Sequence, residues 1–171
     1  MEIALLPKNG LKIRGKYASI LVDALDKTVL YSAIILLDCD TKTSAMQGGD
    51  GVLIEGPGEY EVGGIKIKGY RHDALVAYSL NVDGIDVLLG TIEALEKMQQ
   101  KLKEHNIIVV AANSVIDSSF VTGLASNAVI FYGEKGNEVV KGFATETVKM
   151  LAKYQVTKDK LPQEMETVLL A

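Results

Sequence analysis

From Val52 to Gly69 the apolar and polar positions follow a period of two, broken by glycine pairs. Ile65-Lys66-Ile67-Lys68 alternates cleanly, which predicts a strand with isoleucines turned inward and lysines to water. Glu59 to Val62 alternates in the same way. Gly56-Pro57-Gly58 before it is a turn, because proline presets φ and the glycines accept positive φ. Gly63-Gly64 marks a second tight reversal. The stretch therefore predicts an antiparallel meander with one wet face. Leu75–Val82 and Ile85–Leu89 flank Asp83-Gly84, a hairpin signal between two apolar runs. Upstream, Glu2–Leu6, Leu11–Arg14 and Tyr17–Asp23 read as strands, separated by the turn Pro7-Lys8-Asn9-Gly10 and the joint Gly15-Lys16. Ala33–Leu37 is apolar throughout, as a strand covered on both faces must be. The small, glycine-rich residues Ser44–Gly51 read as a loop.

After Leu89 the period changes. Ile92, Leu95, Met98 and Leu102 recur at helical spacing, which predicts a helix over 92–104. Thr91 can cap its start, and Glu93 and Glu96 favour its N-terminal dipole end. His105 would close it. Ile107–Ala112 and Ala128–Tyr132 read as buried strands, Ser118–Ala125 as a short helix, Glu138–Val140 as a brief strand, and Glu166–Leu170 as a closing strand. Thr145–Tyr154 reads as a helix with Val148, Leu151 and Ala152 facing in. Strands first, then strands alternating with helices, predict two packed sheets with helices on their outer faces.

Composition narrows the class. The chain has 171 residues, 48% of them apolar, enough to bury a core as one domain over 1–171. Its net charge of −4 is interspersed, so no basic stripe for nucleic acid is expected. No apolar run approaches the ~20 residues of a membrane span, and no signal segment is visible. A single cysteine, Cys39, fits a reducing, cytoplasmic setting.

The meander GPGEYEVGGIKIKG and the C-terminal Leu161-Pro162-Gln163-Glu164-Met165-Glu166-Thr167-Val168 resemble the metallo-β-lactamase fold, in its short L-ascorbate-lactonase-like branch of metal-dependent hydrolases. The resemblance implies an α+β, αββα sandwich: two mostly antiparallel mixed β-sheets with helices outside. It also implies a metal centre, in which imidazoles and carboxylates hold zinc and acidify a water. The expected His-x-His-x-Asp-His segment corresponds to Asp38-Cys39-Asp40-Thr41-Lys42-Thr43. Both paired histidines are thus aspartates, the ligating aspartate is Lys42, and the last histidine is Thr43. Gly-His-Ser corresponds to Pro7-Lys8-Asn9. The histidine after the meander corresponds to His72, the bridging carboxylate to Thr91, and the final histidine falls near Gly133.

The vestigial site so read comprises Asp38, Asp40, Lys42, His72 and Thr91. Two aspartates at i and i+2 on a strand end point the same way and suit a hard divalent cation better than zinc. The bland alternative has them capping a turn or pairing with Lys42, with His72 beside Asp73. Cys39 lies between carboxylates that disfavour a thiolate. No nucleophile elbow, P-loop or dinucleotide fingerprint is present. Tyr60, Tyr70 and Tyr78 read as core edge. The expectation is a non-catalytic protein without a cofactor, binding a protein partner, itself or a small ligand, with neither nucleic acid nor membrane as partner. The alternative is a metal-dependent hydrolase with one divalent ion on Asp38, Asp40 and His72, and a third reading is a structural homo-oligomer.

Overall fold

Tight turns fold the chain back on itself wherever a residue tolerates left-handed backbone. Gly63 and Gly64 (φ 56° and 83°), Asp83 and Gly84 (φ 54° and 80°) and Asp73 (φ 54°) sit at three successive reversals. They join β6 (Gly58–Val62), β7 (Ile65–His72), β8 (Leu75–Val82) and β9 (Ile85–Thr91) into one antiparallel meander. The computed structural model describes the chain except for residues 25–27, 29, 38–50, 103, 116–118, 125, 126 and 144–146.

The other strands are β1 (Glu2–Leu6), β2 (Gly10–Arg14), β3 (Ser19–Val22), β4 (Ala33–Ile35), β5 (Val52–Ile54), β10 (Ile107–Ala111), β11 (Ala128–Tyr132), β12 (Val148–Leu151), β13 (Lys153–Gln155) and β14 (Glu166–Leu170). They form a six-stranded sheet, β13-β1-β2-β3-β4-β5, and an eight-stranded sheet, β12-β14-β11-β10-β9-β8-β7-β6. Both are mixed. Hairpin-linked strands pair antiparallel, whereas β3–β4–β5 and β9–β10–β11–β14–β12 pair in parallel.

Side-chain alternation assigns each face. Ile13, Ile20, Ile35, Ile67, Tyr78, Leu80, Val87, Val109 and Ile130 are fully or almost fully buried in the core between the sheets. The opposite parity of the large sheet packs Ala77, Leu88, Ile108, Val110 and Phe131 against α1 (Ile92–Met98) and α2 (Gly136–Gly142). Phe131 meets Phe143 edge-on at 5.1 Å. Ala33–Leu37 is covered on both sides as expected. Ala33, Ile35 and Leu37 join the central core, while Ile34 and Leu36 pack with Leu21 on the far side.

Two second-half expectations fail. The segment read as a strand over 138–140 is helix α2, with Val139 and Val140 buried against the sheet. Three residues carry no usable period, and the apolar surface of β11 and β14 selects the helix. The described part of the segment read as a helix over 145–154 lies in edge strands instead, β12 on β14 and β13 on β1. Of its three expected inward residues only Val148 packs, partly buried, on the helix-side cluster, whereas Leu151 is 36% exposed and Ala152 is exposed. Two open sheet edges outweigh a weak helical spacing, since edge pairing supplies backbone bonds that propensity cannot. The helix predicted over 92–104 ends as α1 at Met98, although Leu102 still packs on its cluster. Ser118–Ala125 is represented by a 3₁₀ segment at Ser119–Leu124.

Candidate functional site

Parallel pairing places the carboxyl ends of β9, β10, β11 and β14 at one end of the large sheet, with the end of β7 beside them. Side chains tie this end to the carboxyl ends of β4 and β5. Tyr78 Oη donates to the Leu36 carbonyl at 3.1 Å, and Arg71 Nη2 donates to the Glu55 carbonyl at 3.4 Å. The turn Pro7–Asn9 is there too, since Gly10 lies against Ala24. The carboxyl ends of strands from both sheets thus meet at one end of the sandwich, its mouth, the place where open sheets gather functional groups.

Period-two parity decides which side chains face that mouth. Ile65, Ile67 and Gly69 face inward; Arg71 shares their parity but is exposed at the strand end, where its bond to the Glu55 carbonyl links it to the chain that leaves the other sheet. His72 has the opposite parity. It pairs with Leu75 across the hairpin, and Leu75 and Tyr70 pack on the helix-covered face. Its side chain is 42% exposed, with Nε2 3.8 Å from Asp73 Oδ2.

Thr91 does face inward, at the end of β9 opposite Ala111. Its Oγ1 accepts from the Ala94 amide at 3.2 Å and caps α1, as its sequence position predicts. Glu93 accepts a hydrogen bond from Ser114 one turn on. Gly133 follows β11 at φ 106°, in the left-handed region, and a Cβ there would lie 2.8 Å from Asn113 Oδ1 and 2.9 Å from the Ala112 carbonyl. An imidazole has no room at that position. Asp38, Asp40 and Lys42, and with them Cys39 and Thr43, lie outside the described residues.

Two further groups of the mouth were missed. Asp23 follows β3 with φ 49°, and its Oδ1 accepts from the Leu37 amide at 3.1 Å, fixing the chain just before residue 38. Tyr132 ends β11, is 2% exposed, and its hydroxyl has no hydrogen-bond partner among the described residues. Burial, with the Asp23 carboxylate adding to it, pushes the Tyr132 phenol well above its ordinary pKa. The pattern of β7 could have revealed the parity of Arg71, by extending the Ile65–Lys68 alternation three residues. Nothing in the sequence sets the Asp23 charge toward Tyr132, because the two come from different sheets.

Away from the mouth, His105 does not close a helix. It is 7% exposed beyond α1, with Nε2 2.7 Å from Ser79 Oγ. Tyr78 is fully buried rather than at the core edge, while Tyr60 and Tyr70 are only partly covered. No helix among the described residues is long and apolar enough to cross a membrane.

No family model matches the sequence, and no curated protein matches it. Solved structures do. A Thermotoga maritima protein provisionally assigned as a zinc-dependent hydrolase of the metallo-β-lactamase superfamily superposes with a TM-score of 0.73. The match covers 98% of this chain and 97% of that one, at 16% identity. The chain has the metallo-β-lactamase fold. A provisionally assigned metal-dependent hydrolase from Parabacteroides distasonis matches at a TM-score of 0.56 and 13% identity, covering 96% and 91% of the two chains. The E377D mutant of the β-hydroxylase CmlA matches at 0.51 and 9% identity, over 77% of this chain and 45% of that one.

The metallo-β-lactamase fold implies a metal centre, and the residues described here do not fit one. His72 faces away, the Thr91 hydroxyl is engaged as a cap, and Gly133 admits no side chain. Among the described residues no three His, Cys, Asp or Glu side chains converge on a common point. Substituting Thr91 separates its roles. Thr91→Ala is expected to cost about 1 kcal/mol by loss of the cap, a fall in melting temperature of about 2–4 °C. Thr91→Asp keeps a capping oxygen and should melt close to wild type; zinc titration of that variant should still give no rise. A zinc-dependent rise would show that the imidazole reaches the mouth after all.

Proposed function

We propose that this protein is a non-catalytic member of the metallo-β-lactamase fold that works by binding, the mouth between its sheets being kept while its metal chemistry is lost. The orientation of His72 carries this reading: the one imidazole at a matched ligand position lies on the helix-side face, while the exposed guanidinium of Arg71 donates to the Glu55 carbonyl at the rim of the mouth. A cation bonded to a backbone carbonyl disfavours a second cation nearby. The aspartates Asp38 and Asp40 and the ammonium of Lys42 complete the donor set by sequence alone, and an ammonium among them opposes a metal further. The occupant proposed is a protein partner, a second copy of this chain or a small ligand, in the cytoplasm, with no cofactor.

Protein purified without chelator is expected to hold well under one equivalent of zinc, manganese, iron or magnesium by elemental analysis. Its melting temperature is expected to be the same with and without millimolar divalent ions, since a ligand that binds the native state must raise it. Lactone and phosphodiester substrates should not turn over. Stoichiometric metal, lost together with turnover in Asp40→Ala, would overturn the proposal in favour of a mononuclear hydrolase built on Asp38, Asp40 and His72. Light scattering across a concentration series distinguishes self-association from binding of another molecule.

A further inference from the structure

Ser79 and His105 meet on the outer face of the eight-stranded sheet, and neither is matched to a metal ligand. Ser79 Oγ and His105 Nε2 lie 2.7 Å apart. Ser79 stands on β8 with the parity of Ala77, on the helix side of the sheet. It is half-buried, opposite Lys68 of β7 and Leu88 of β9, so strands on both sides hold its backbone. His105 is 7% exposed, and the residue after it is fixed on all sides. The Asn106 amide donates to the Asp86 carbonyl at 2.9 Å, its Oδ1 accepts from the Asp86 amide at 3.0 Å, and its carbonyl accepts from the Asn127 amide at 2.8 Å. Both members of the pair are therefore held by rigid backbone. Ser79 also opens onto a cavity of about 400 Å³ over β6, β7 and β8, with Glu59, Glu61, Lys66, Lys68 and Asn81 around it. The hydroxyl is thus accessible, while the imidazole bonded to it is buried.

A serine hydroxyl is a weak nucleophile until a base within hydrogen-bond reach takes its proton. We propose that Ser79 is an acyl-acceptor nucleophile with His105 as its general base, taking one acyl group from an activated ester, a thioester or aryl ester. With the ring proton on Nδ1, Nε2 accepts the Ser79 hydroxyl hydrogen. Ser79 Oγ attacks the acyl carbon, and its proton passes to His105 Nε2. The bond from the acyl carbon to the leaving sulfur or aryl oxygen breaks. The leaving group departs with that proton, and the acyl group stays on Oγ as an ester. The step balances without a metal or a further reactant. The surroundings select the donor. Lys68 is bonded to Glu59 at 3.1 Å, and Glu61 stands opposite Lys66 across the β6–β7 pair. A phosphoryl donor with several negative charges would meet two carboxylates there, whereas a neutral acyl group meets no charge of its own sign. Lys66 pairs with Asn81 and is diagonal to Ser79, a spacing that a lysine side chain spans. Its ammonium can therefore balance the charge that develops on the carbonyl oxygen. The site lies outside the mouth, so it does not depend on what the mouth binds.

The test uses the whole chain as wild type, Ser79→Ala and His105→Gln, each first melted to establish that it folds. All three are incubated with p-nitrophenyl acetate, release of p-nitrophenolate is followed, and the acetylated positions are mapped by mass spectrometry of peptides. Wild type is expected to give a stoichiometric burst and to carry the acetyl group on Ser79. Ser79→Ala is expected to lose the burst. His105→Gln is expected to slow it by about 10²–10⁴-fold, the contribution of a positioned base. If His105→Gln does not fold, the wild-type digest decides: acetylation of Ser79 must outrun that of the chain's other serines. The proposal is overturned if Ser79 takes up no acetyl group, if it reacts no faster than the other serines, or if the label sits on lysines alone. It is equally overturned if a folded His105→Gln labels Ser79 as fast as wild type, as a purely structural hydrogen bond would allow.

Discussion

Tyr78→Ala is expected to destabilise the fold by about 3–5 kcal/mol, the range for truncating a large buried aromatic, out of a total stability of about 5–15 kcal/mol for a domain. Tyr78 is fully buried on β8 among residues from both sheets, and its hydroxyl donates to the Leu36 carbonyl of the other sheet. The substitution thus removes core volume and a bond that holds the mouth together. At about 2–4 °C per kcal/mol the melting temperature should fall by roughly 6–20 °C. Tyr78→Phe isolates the hydroxyl and should cost only about 1 kcal/mol, the net worth of one hydrogen bond. Urea unfolding of the two variants measures both quantities. An alanine variant within about 1 kcal/mol of wild type would mean that the two sheets are not coupled through this ring, contrary to the packing.

Gly69→Ala has the second largest expected effect, and its cause is space rather than backbone freedom. A Cβ on Gly69 would lie 2.3 Å from the Gly56 carbonyl oxygen, 3.1 Å from the Pro57 Cα and 3.1 Å from Tyr78 Cε1. The first two obstacles are backbone, so the turn between β5 and β6 must move away from β7. Overpacking of this kind costs about 1–3 kcal/mol, and the upper end applies because no side chain can rotate aside. The moving turn also carries Glu55, whose carbonyl accepts from Arg71, so the mouth should open on that side. The neighbouring Lys68→Ala serves as a control. Its side chain is 54% exposed and pairs with an exposed Glu59, a contact that water and salt screen. Chemical denaturation of both variants compares the two sites, and equal midpoints would refute the steric account of Gly69.

How far the site could be read from sequence depends on the physical scale of each signal. The Ile65–Lys68 alternation assigns an inward face to β7, and its continuation already gives Arg71 that parity and His72 the opposite one. Matching His72 to a ligand by motif alone passed over that parity, which the pairing with Leu75 enforces. The cap at Thr91 was legible because capping is local: a hydroxyl reaches an amide three residues on. The strain at Gly133 was not, because it depends on Asn113 and Ala112 from the neighbouring strand. The misread segment over 145–154 shows the same division, since its partners, β14 and β1, lie far away along the chain.

The meander, the hairpin turns and the buried strands were legible in the sequence, because they follow from period, turn chemistry and side-chain identity over a few residues. Which edge strands form, that Tyr78 reaches the Leu36 carbonyl and that Arg71 reaches the Glu55 carbonyl emerge only in the folded chain. Those outcomes depend on contacts between distant segments, and burial between two sheets fixes them more strongly than any local preference can.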